Sequence, residues 1–491
     1  MSSSRISTAA QQKRGQRPED ERLPMAQNIG FGLQHVLTMY GGIIAPPLII
    51  GTAAGLGEAE IGVLIASCLF VGGLATVLQT VGIPFFGSQL PLVQGVSFAG
   101  VATMISILEG GGSIATVFGA VIASSIIGLL ITPVFSRIIR FFPPVVAGTV
   151  ITTIGLTLMP VAAGWTMGGN AKSEDYGSVQ NLALAGATLV LVVLFSKVGV
   201  AAVSRLSILL AMVVGTIIAA ATGMADFSKV LDGPVFAVPQ PFAFGMPEFQ
   251  VAAILSMVIV ILVTLTETSA DIIAVGEIVG TKTDARRVGD GLRADMISSA
   301  ISPIFNSFTQ SAFAQNVGLV AITGVKSRFV VTAGGGILVI LGLLPVLGRF
   351  VAAIPTPVLG GAGIVLFGTV AASGIRTLST VKYEGNMNLV IVAAALGFGM
   401  FPIVAPNIYD QFPSWFVTIF HSGISSSAIM AIVLNLLFNH LKIKGNRPQS
   451  VMAEASNRRI SSAMLGELQE GDYVQDGKLY DSKSNHIPCA D

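Results

Sequence analysis

Apolar stretches of membrane-crossing length follow one another from residue 28 to residue 441, and they constrain this chain more than any other feature of it. A helix needs roughly 20 mostly apolar residues to cross the hydrocarbon of a bilayer, where each backbone N–H and C=O must find its partner inside the segment. Candidate spans fall near 28–51, 60–80, 85–108, 114–136, 143–163, 180–196 and 206–223. A second set falls near 251–275, 290–305, 309–324, 329–348, 355–373, 387–404 and 422–441. Composition agrees, with 52% of the 491 residues hydrophobic and only 11% charged, where a soluble chain would carry roughly a quarter.

The pattern predicts an all-α integral membrane protein of fourteen transmembrane helices in two halves, residues 28–223 and 251–441, joined by an extracytoplasmic linker over 224–250. Seven spans per half, an odd number, require the two repeats to be inverted in the membrane, which is an architecture of secondary transporters. Lys and Arg concentrate in alternate loops: Arg137, Arg140, Lys197, Arg205, Lys282, Arg286, Arg287, Arg293, Lys326, Arg328, Arg376 and Lys382 fall on the side of the termini, against Lys172, Lys229 and Arg349 opposite. By the positive-inside rule both tails, 1–27 and 442–491, are expected in the cytoplasm. The second tail lacks helical apolar periodicity and is expected to be mostly without regular structure. The N-terminal residues offer no signal peptide, since no short apolar core with a cleavage site precedes the first span.

A net charge of +1 and no basic tract give no footprint for nucleic acid. Two cysteines, Cys68 and Cys489, are too few for a disulfide framework or a metal cage. With four histidines and no nucleophile beside a base, the chain offers no catalytic residues, and no enzyme is expected.

The third span of each half is interrupted. Gly87-Ser88-Gln89-Leu90-Pro91 with Gln94-Gly95 breaks one, and Asn306 to Gln310 with Gln315-Asn316-Val317-Gly318 breaks the other. Such backbone is tolerated at membrane depth only against protein or a water-filled cavity, so two facing breaks predict a midplane binding site. The alternative is polar helices packing through small residues. Among the few ionisable residues within spans, Glu267 and Asp271 stand four apart on one helix face and should line one cavity. Asp295 follows Arg293 near the start of its predicted span, where stabilisation by a helix N-terminus competes with a functional role. His35 reads equally as a packing residue or as a member of a proton network. The amides of Gln315 and Asn316 both donate and accept, which suits the alternating N–H and C=O edge of a purine or pyrimidine, and Phe98 beside Ser97 could stack on such a ring or simply pack.

Gln315-Asn316-Val317-Gly318 through Thr323-Gly324 resembles the signature of the nucleobase/ascorbate transporter family, Gln/Glu/Pro-Asn-x-Gly-x4-Thr-Arg/Lys/Gly, at every fixed position. Gln34-His35, Ser97-Phe98-Ala99, Glu267 and Asp295 join the resemblance, which runs from about residue 28 to 442. It implies two broken helices carrying short strands, a core of spans 1–4 and 8–11, a gate of spans 5–7 and 12–14, and homodimers moving in elevator fashion. It also implies that Glu267 and Gln315 hold a purine base, that Ser97, Phe98 and Ala314 complete the pocket, that Asn316 tunes specificity, and that Asp295 and His35 support a proton-linked network. The coupling ion would be H+, with no cofactor; short loops and the absence of eukaryotic sorting features favour a bacterial inner membrane. Gln315 resembles the purine rather than the uracil group; Gly276 to Gly280 looks like urate permeases, whereas Asp271 looks like xanthine carriers, so xanthine and uric acid both stay open. Outside this reading stand a uracil symporter and an anion exchanger of the same fold, the latter disfavoured by a carboxylate such as Glu267 in the pocket.

Overall fold

The computed structural model describes residues 17–135, 142–384 and 387–441, with three short strands farther on at 473–475, 478–480 and 486–487. Arg137 and Arg140, used above for orientation, lie outside the described residues. The first part of the chain forms α1 (Met25–Ala53), α2 (Glu58–Val81), β1 (Gln94–Val96), α3 (Val101–Glu109), α4 (Ile114–Ile131), α5 (Pro144–Thr157), α6 (Met159–Thr166), α7 (Val179–Lys197) and α8 (Ser207–Ala221). After the linker come α9 (Val251–Val279), α10 (Ala285–Ile301), β2 (Gln310–Ala312), α11 (Ala314–Thr323), α12 (Arg328–Gly342), α13 (Pro345–Ala352), α14 (Thr356–Leu378), α15 (Asn388–Val404), α16 (Ser414–Phe420) and α17 (Gly423–Asn435).

Eight helices among the described residues are long and apolar enough to cross a membrane, and the α12–α13 pair, bent by 78°, brings the number to as many as nine. Shorter apolar helices, Phe98–Glu109, Ser207–Ala221, Ala314–Thr323 and Asn388–Val404, occupy four of the other expected stretches. Where a span was expected at 290–305, α10 begins five residues earlier, because Asp284 caps its first turn by accepting the Arg287 N–H at 2.9 Å. The hydropathy reading started it late because Arg286, Arg287, Asp290 and Arg293 fill the opening turns. Part of the tail expected to lack structure carries strands: Tyr473–Gln475 pairs antiparallel with Lys478–Tyr480, which pairs with His486–Ile487.

Lipid is as apolar as leucine, so helices inside a bilayer associate by close packing rather than by hydrophobic exclusion. Glycines supply that closeness here. A Cβ on Gly73 of α2 would lie 2.6 Å from both Gly335 O and Val339 N of α12, and one on Gly32 of α1 would lie 2.8 Å from Gly334 N. Gly155 and Gly374 bring α5 and α14 together in the same way. The linker is tied down by backbone bonds, Ala237 N to Leu343 O, Phe242 N to Ile304 O and Glu248 N to Ala115 O. Asn306 adds its side chain, donating to Gln240 O and accepting from Ala243 N, from a left-handed backbone (φ 61°) that asparagine tolerates.

Candidate functional site

The two broken segments meet. β1 and β2 form an antiparallel ribbon with Gln94 opposite Ala312, Gly95 opposite Ser311 and Val96 opposite Gln310. Ser97 N donates to Thr309 O (2.8 Å) and Phe313 N to Val93 O (3.1 Å), so pairing extends past both ends. Backbone groups that leave their helices here are thus satisfied by each other instead of by water. Each strand is also anchored to a neighbouring helix: Gln94 N to Thr76 Oγ1 of α2 at 2.9 Å, Gln310 N to Ser299 Oγ of α10 at 2.8 Å.

Beside the ribbon lies a cavity of about 400 Å³. One wall consists of Val96, Ser97, Phe98, Ala99, Ser311 to Gln315 and Gly318, with Glu267 of α9; the other consists of Ile151 and Ile154 of α5 and Thr369, Val370, Ala372, Ser373 and Arg376 of α14. Both strands run straight into helices at this point. Ser97 caps the turn leading to α3 by accepting the Ala99 N–H (3.2 Å), and in α11 the first backbone bonds are those of Asn316 and Val317 to Phe313 O. The N–H groups of Ala314 and Gln315 precede those bonds and stand at the positive end of the helix dipole, a setting for a hydrogen-bond acceptor. Phe98 meets Phe367 edge-on, with ring centroids 6.1 Å apart, which steadies its ring beside the cavity.

Ser97, Phe98, Glu267, Ala314 and Gln315 therefore line one cavity. Asp271 and Asn316 do not reach the cavity. Asp271, expected on the same face as Glu267, lies one helical turn farther along α9, buried, with Oδ2 unpartnered. The two positions share a face of α9, but only Glu267 lines the cavity. Asn316 points away from the cavity, and its Nδ2 lies 3.1 Å from His35 Nδ1 and donates to His35 O at 3.0 Å, which joins α11 to α1. Asp295 stands ten residues into α10 and wholly buried, so a helix N-terminus does not account for it. Its Oδ2 accepts the Thr268 hydroxyl at 2.6 Å, and Thr268 Oγ1 in turn accepts Ala312 N at 3.3 Å. Among the described residues no group of three or more His, Cys, Asp or Glu converges as a metal site requires.

The α14 wall adds residues that hydropathy alone does not single out. Thr369, Ser373 and Arg376 recur at i, i+4 and i+7, a polar stripe within an apolar span that helical periodicity could have exposed. Arg376 was instead counted among loop cations, whereas it occupies the last helical turn and lines the cavity.

A bundle of apolar helices enclosing a chamber of mixed apolar and polar lining beside two paired broken segments defines a multi-pass membrane transporter. The transmembrane domain of a cyanobacterium bicarbonate transporter, BicA, has the same fold at a TM-score of 0.52 and 15% identity, over 83% of this chain and 96% of that one. Residues 26–408 match the family model described as "Permease family", and this chain belongs to that family, the nucleobase/ascorbate transporters, which are carriers and not enzymes. The xanthine permease of Bacillus subtilis (strain 168) is 40% identical over 413 residues, 84% of this chain and 94% of its own length. The uric acid transporter UacT of Escherichia coli (strain K12) is 40% identical over 429 residues, 86% of this chain and 89% of its own.

Proposed function

We propose that this chain takes up purine bases, xanthine or uric acid or both, together with a proton. The observation that carries the reading is the cavity in which the Glu267 carboxylate, the Gln315 amide and the leading N–H groups of α11 meet beside Phe98. A purine dione presents ring N–H groups that suit a carboxylate and C=O groups that suit amide and backbone donors, and the names of the two bacterial relatives support the same substrate class. In this reading Glu267 and Gln315 hold the base, while Ser97, Phe98 and Ala314 shape its pocket. Asn316 tunes specificity from behind, through His35, and Asp271 acts on Glu267 from one turn away. Asp295 and His35 belong to the network that carries the coupling proton, and no cofactor takes part.

The architecture that goes with it has fourteen helices in two inverted repeats, residues 28–223 and 251–441, with both tails cytoplasmic in a bacterial inner membrane. A core bearing the ribbon moves past a gate that includes α5 and α14, in a homodimer. One proton moving through 100 mV supplies about 2.3 kcal/mol, enough for accumulation by some tens-fold. Arg376 on the wall would compensate a negative charge, and this favours uric acid, the more acidic of the two bases.

The test is uptake of radiolabelled xanthine and uric acid by cells lacking their own purine carriers, with wild type and Glu267→Gln compared with and without a protonophore. Uptake that the protonophore abolishes, and that the variant loses by about tenfold or more, equivalent to about 1.4 kcal/mol, is the expected outcome. If neither base accumulates although the protein reaches the membrane, the purine reading fails, and uracil or an inorganic anion takes its place.

A further inference from the structure

Gln94 and Gln310 stand at opposite ends of the strand pair, and their amides are held very differently. Gln310 Nε2 is committed, donating to Phe308 O (2.8 Å) and to Ser307 Oγ (3.2 Å). Gln94 is 1% exposed, yet neither its Oε1 nor its Nε2 has a hydrogen-bond partner. Only its backbone is tied, through Thr76. An amide buried in this state gives up its bonds to water without replacing them, so a fold that keeps it invites a reason. Gln94 stands opposite Ala312 in the ribbon, Ala312 N donates to Thr268 Oγ1, and Thr268 donates to Asp295 Oδ2, so the Gln94 amide acts on the Asp295 carboxyl, whose Oδ1 has no partner in strict hydrogen-bond geometry. A buried amide with an uncommitted donor and acceptor thus neighbours a carboxyl with one uncommitted oxygen.

We infer that Gln94 is the positioning residue for the proton on Asp295, a role that rests on the reading of Asp295 as part of the proton network. With Asp295 ionised, Gln94 Nε2 donates to Oδ1; with Oδ1 protonated, that O–H donates to Gln94 Oε1. A half-turn of the amide about its own axis exchanges the two arrangements, which Gln310, held at its nitrogen, does not permit. No bond is made or broken apart from the O–H of the arriving proton. Gln94 also begins the strand that leads directly to Val96, Ser97 and Phe98 on the cavity wall, so the contact joins the proton site to the substrate site along three residues of extended backbone. Few other charges intervene. From α9, Glu267 and Asp271 face Asp295, and Asp271 in turn faces Arg376 of α14. On α10 itself Asp290 is paired with Arg293. The two ribbon strands and α4 carry no ionisable residue, and α2 carries Glu58 and Glu60 in its first turn and the buried thiol of Cys68, which accepts from Ser307.

The experiment compares wild type, Gln94→Met, Asp295→Asn and the double variant by uptake across pH and by thermal unfolding of the purified full chain across pH. Methionine keeps the length of the side chain and removes both polar atoms. The ionised carboxyl loses the stronger, charge-assisted bond. Gln94→Met should therefore move the alkaline limb of the uptake profile upward by about one pH unit, a tenfold change in proton affinity, and should add nothing further in the Asp295→Asn background. A uniform loss of uptake with an unmoved profile, or effects that multiply in the double variant, would overturn the inference. Should wild type carry no purine, the functional reading fails on its own, and the unfolding cycle still decides: a non-additive, pH-dependent shift in Tm supports the Gln94–Asp295 link, and additive shifts refute it.

Discussion

Thr268 gives its hydroxyl proton to Asp295 Oδ2 and takes the Ala312 N–H on the same oxygen, so a single side chain of α9 holds both a buried carboxyl of α10 and the end of β2. Replacing it with valine, of nearly the same shape, would orphan both groups in a place that excludes water. Each orphan costs roughly 1–3 kcal/mol. Thr268→Val is expected to lower the Tm of the detergent-solubilised protein, while Thr268→Ser, which keeps the hydroxyl, stays close to wild type. Equal melting of the valine and serine variants would show that the bridge contributes nothing. At this scale much of the site was readable: Glu267, Gln315 and the Ser97-Phe98 pair announce themselves as polar or unusual residues in apolar surroundings. Asp271 and Asn316 announce themselves equally well and yet turn elsewhere, because position on a helix face does not say where a cavity ends.

The segment ahead of α1 acts as an ionic strap over one end of several helices. Glu19, fully buried, meets Arg287 of α10 at 2.5 Å, and Arg287 also donates to Ser88 O and Gln89 O in the loop that leads to β1. Asp20 meets Arg328 of α12 at 2.6 Å, and Arg328 donates in turn to Thr80 O and Val81 O at the end of α2. Partial burial works to raise the pKa of Asp20, but hydrogen bonds and charge from Arg17 and Arg328 outweigh it and hold the carboxyl below its ordinary value. A carboxyl lowered by folding stabilises the folded state above its unfolded pKa and loses that contribution as pH falls through the lower, folded value. Wild type should therefore lose Tm on acidification below about pH 4, and Asp20→Asn should start lower at neutral pH and show a shallower acid slope. Parallel slopes for the two proteins would deny the strap this role. The sequence reading treated this tail as separate from the helices; what attaches it is the placement of arginines from α10 and α12, which are far away along the chain.

For the molecule as a whole, the elevator reading requires the ribbon-bearing helices to slide against the rest, and one contact offers a lock. Thr103 Oγ1 of α3 and Ser422 Oγ, at the cap of α17, lie 2.8 Å apart and buried. With Cys68 and Cys489 removed, Thr103→Cys combined with Ser422→Cys brings two thiols to disulfide distance. Oxidation should stop uptake and reduction should restore it; uptake undiminished in the fully cross-linked protein would rule out relative motion at this contact. Two helices shorter than a bilayer crossing, Phe98–Glu109 and Ala314–Thr323, lie where the chain breaks to form the ribbon, and α12 bends sharply into α13, whereas Ser207–Ala221 and Asn388–Val404 are short without adjoining either. Hydropathy located the α12–α13 stretch without registering its bend, since an apolar turn and an apolar kink read alike.

By itself the sequence determined the solvent in which this protein folds, the succession of its apolar segments, the two broken segments and the residues of its family signature. All of these are local properties, written in hydropathy, in runs of amides and glycines, and in spacing along a single helix. Only the tertiary structure decided that the two breaks pair with each other, that α14 closes the cavity with Thr369, Ser373 and Arg376, and that Asp295 lies deep in its helix beside an uncommitted Gln94. Those facts depend on how closely helices remote in sequence approach, as Gly73 and Gly335 do. Dense packing sets such approaches by shape, and shape between distant segments leaves no periodic trace in either of them.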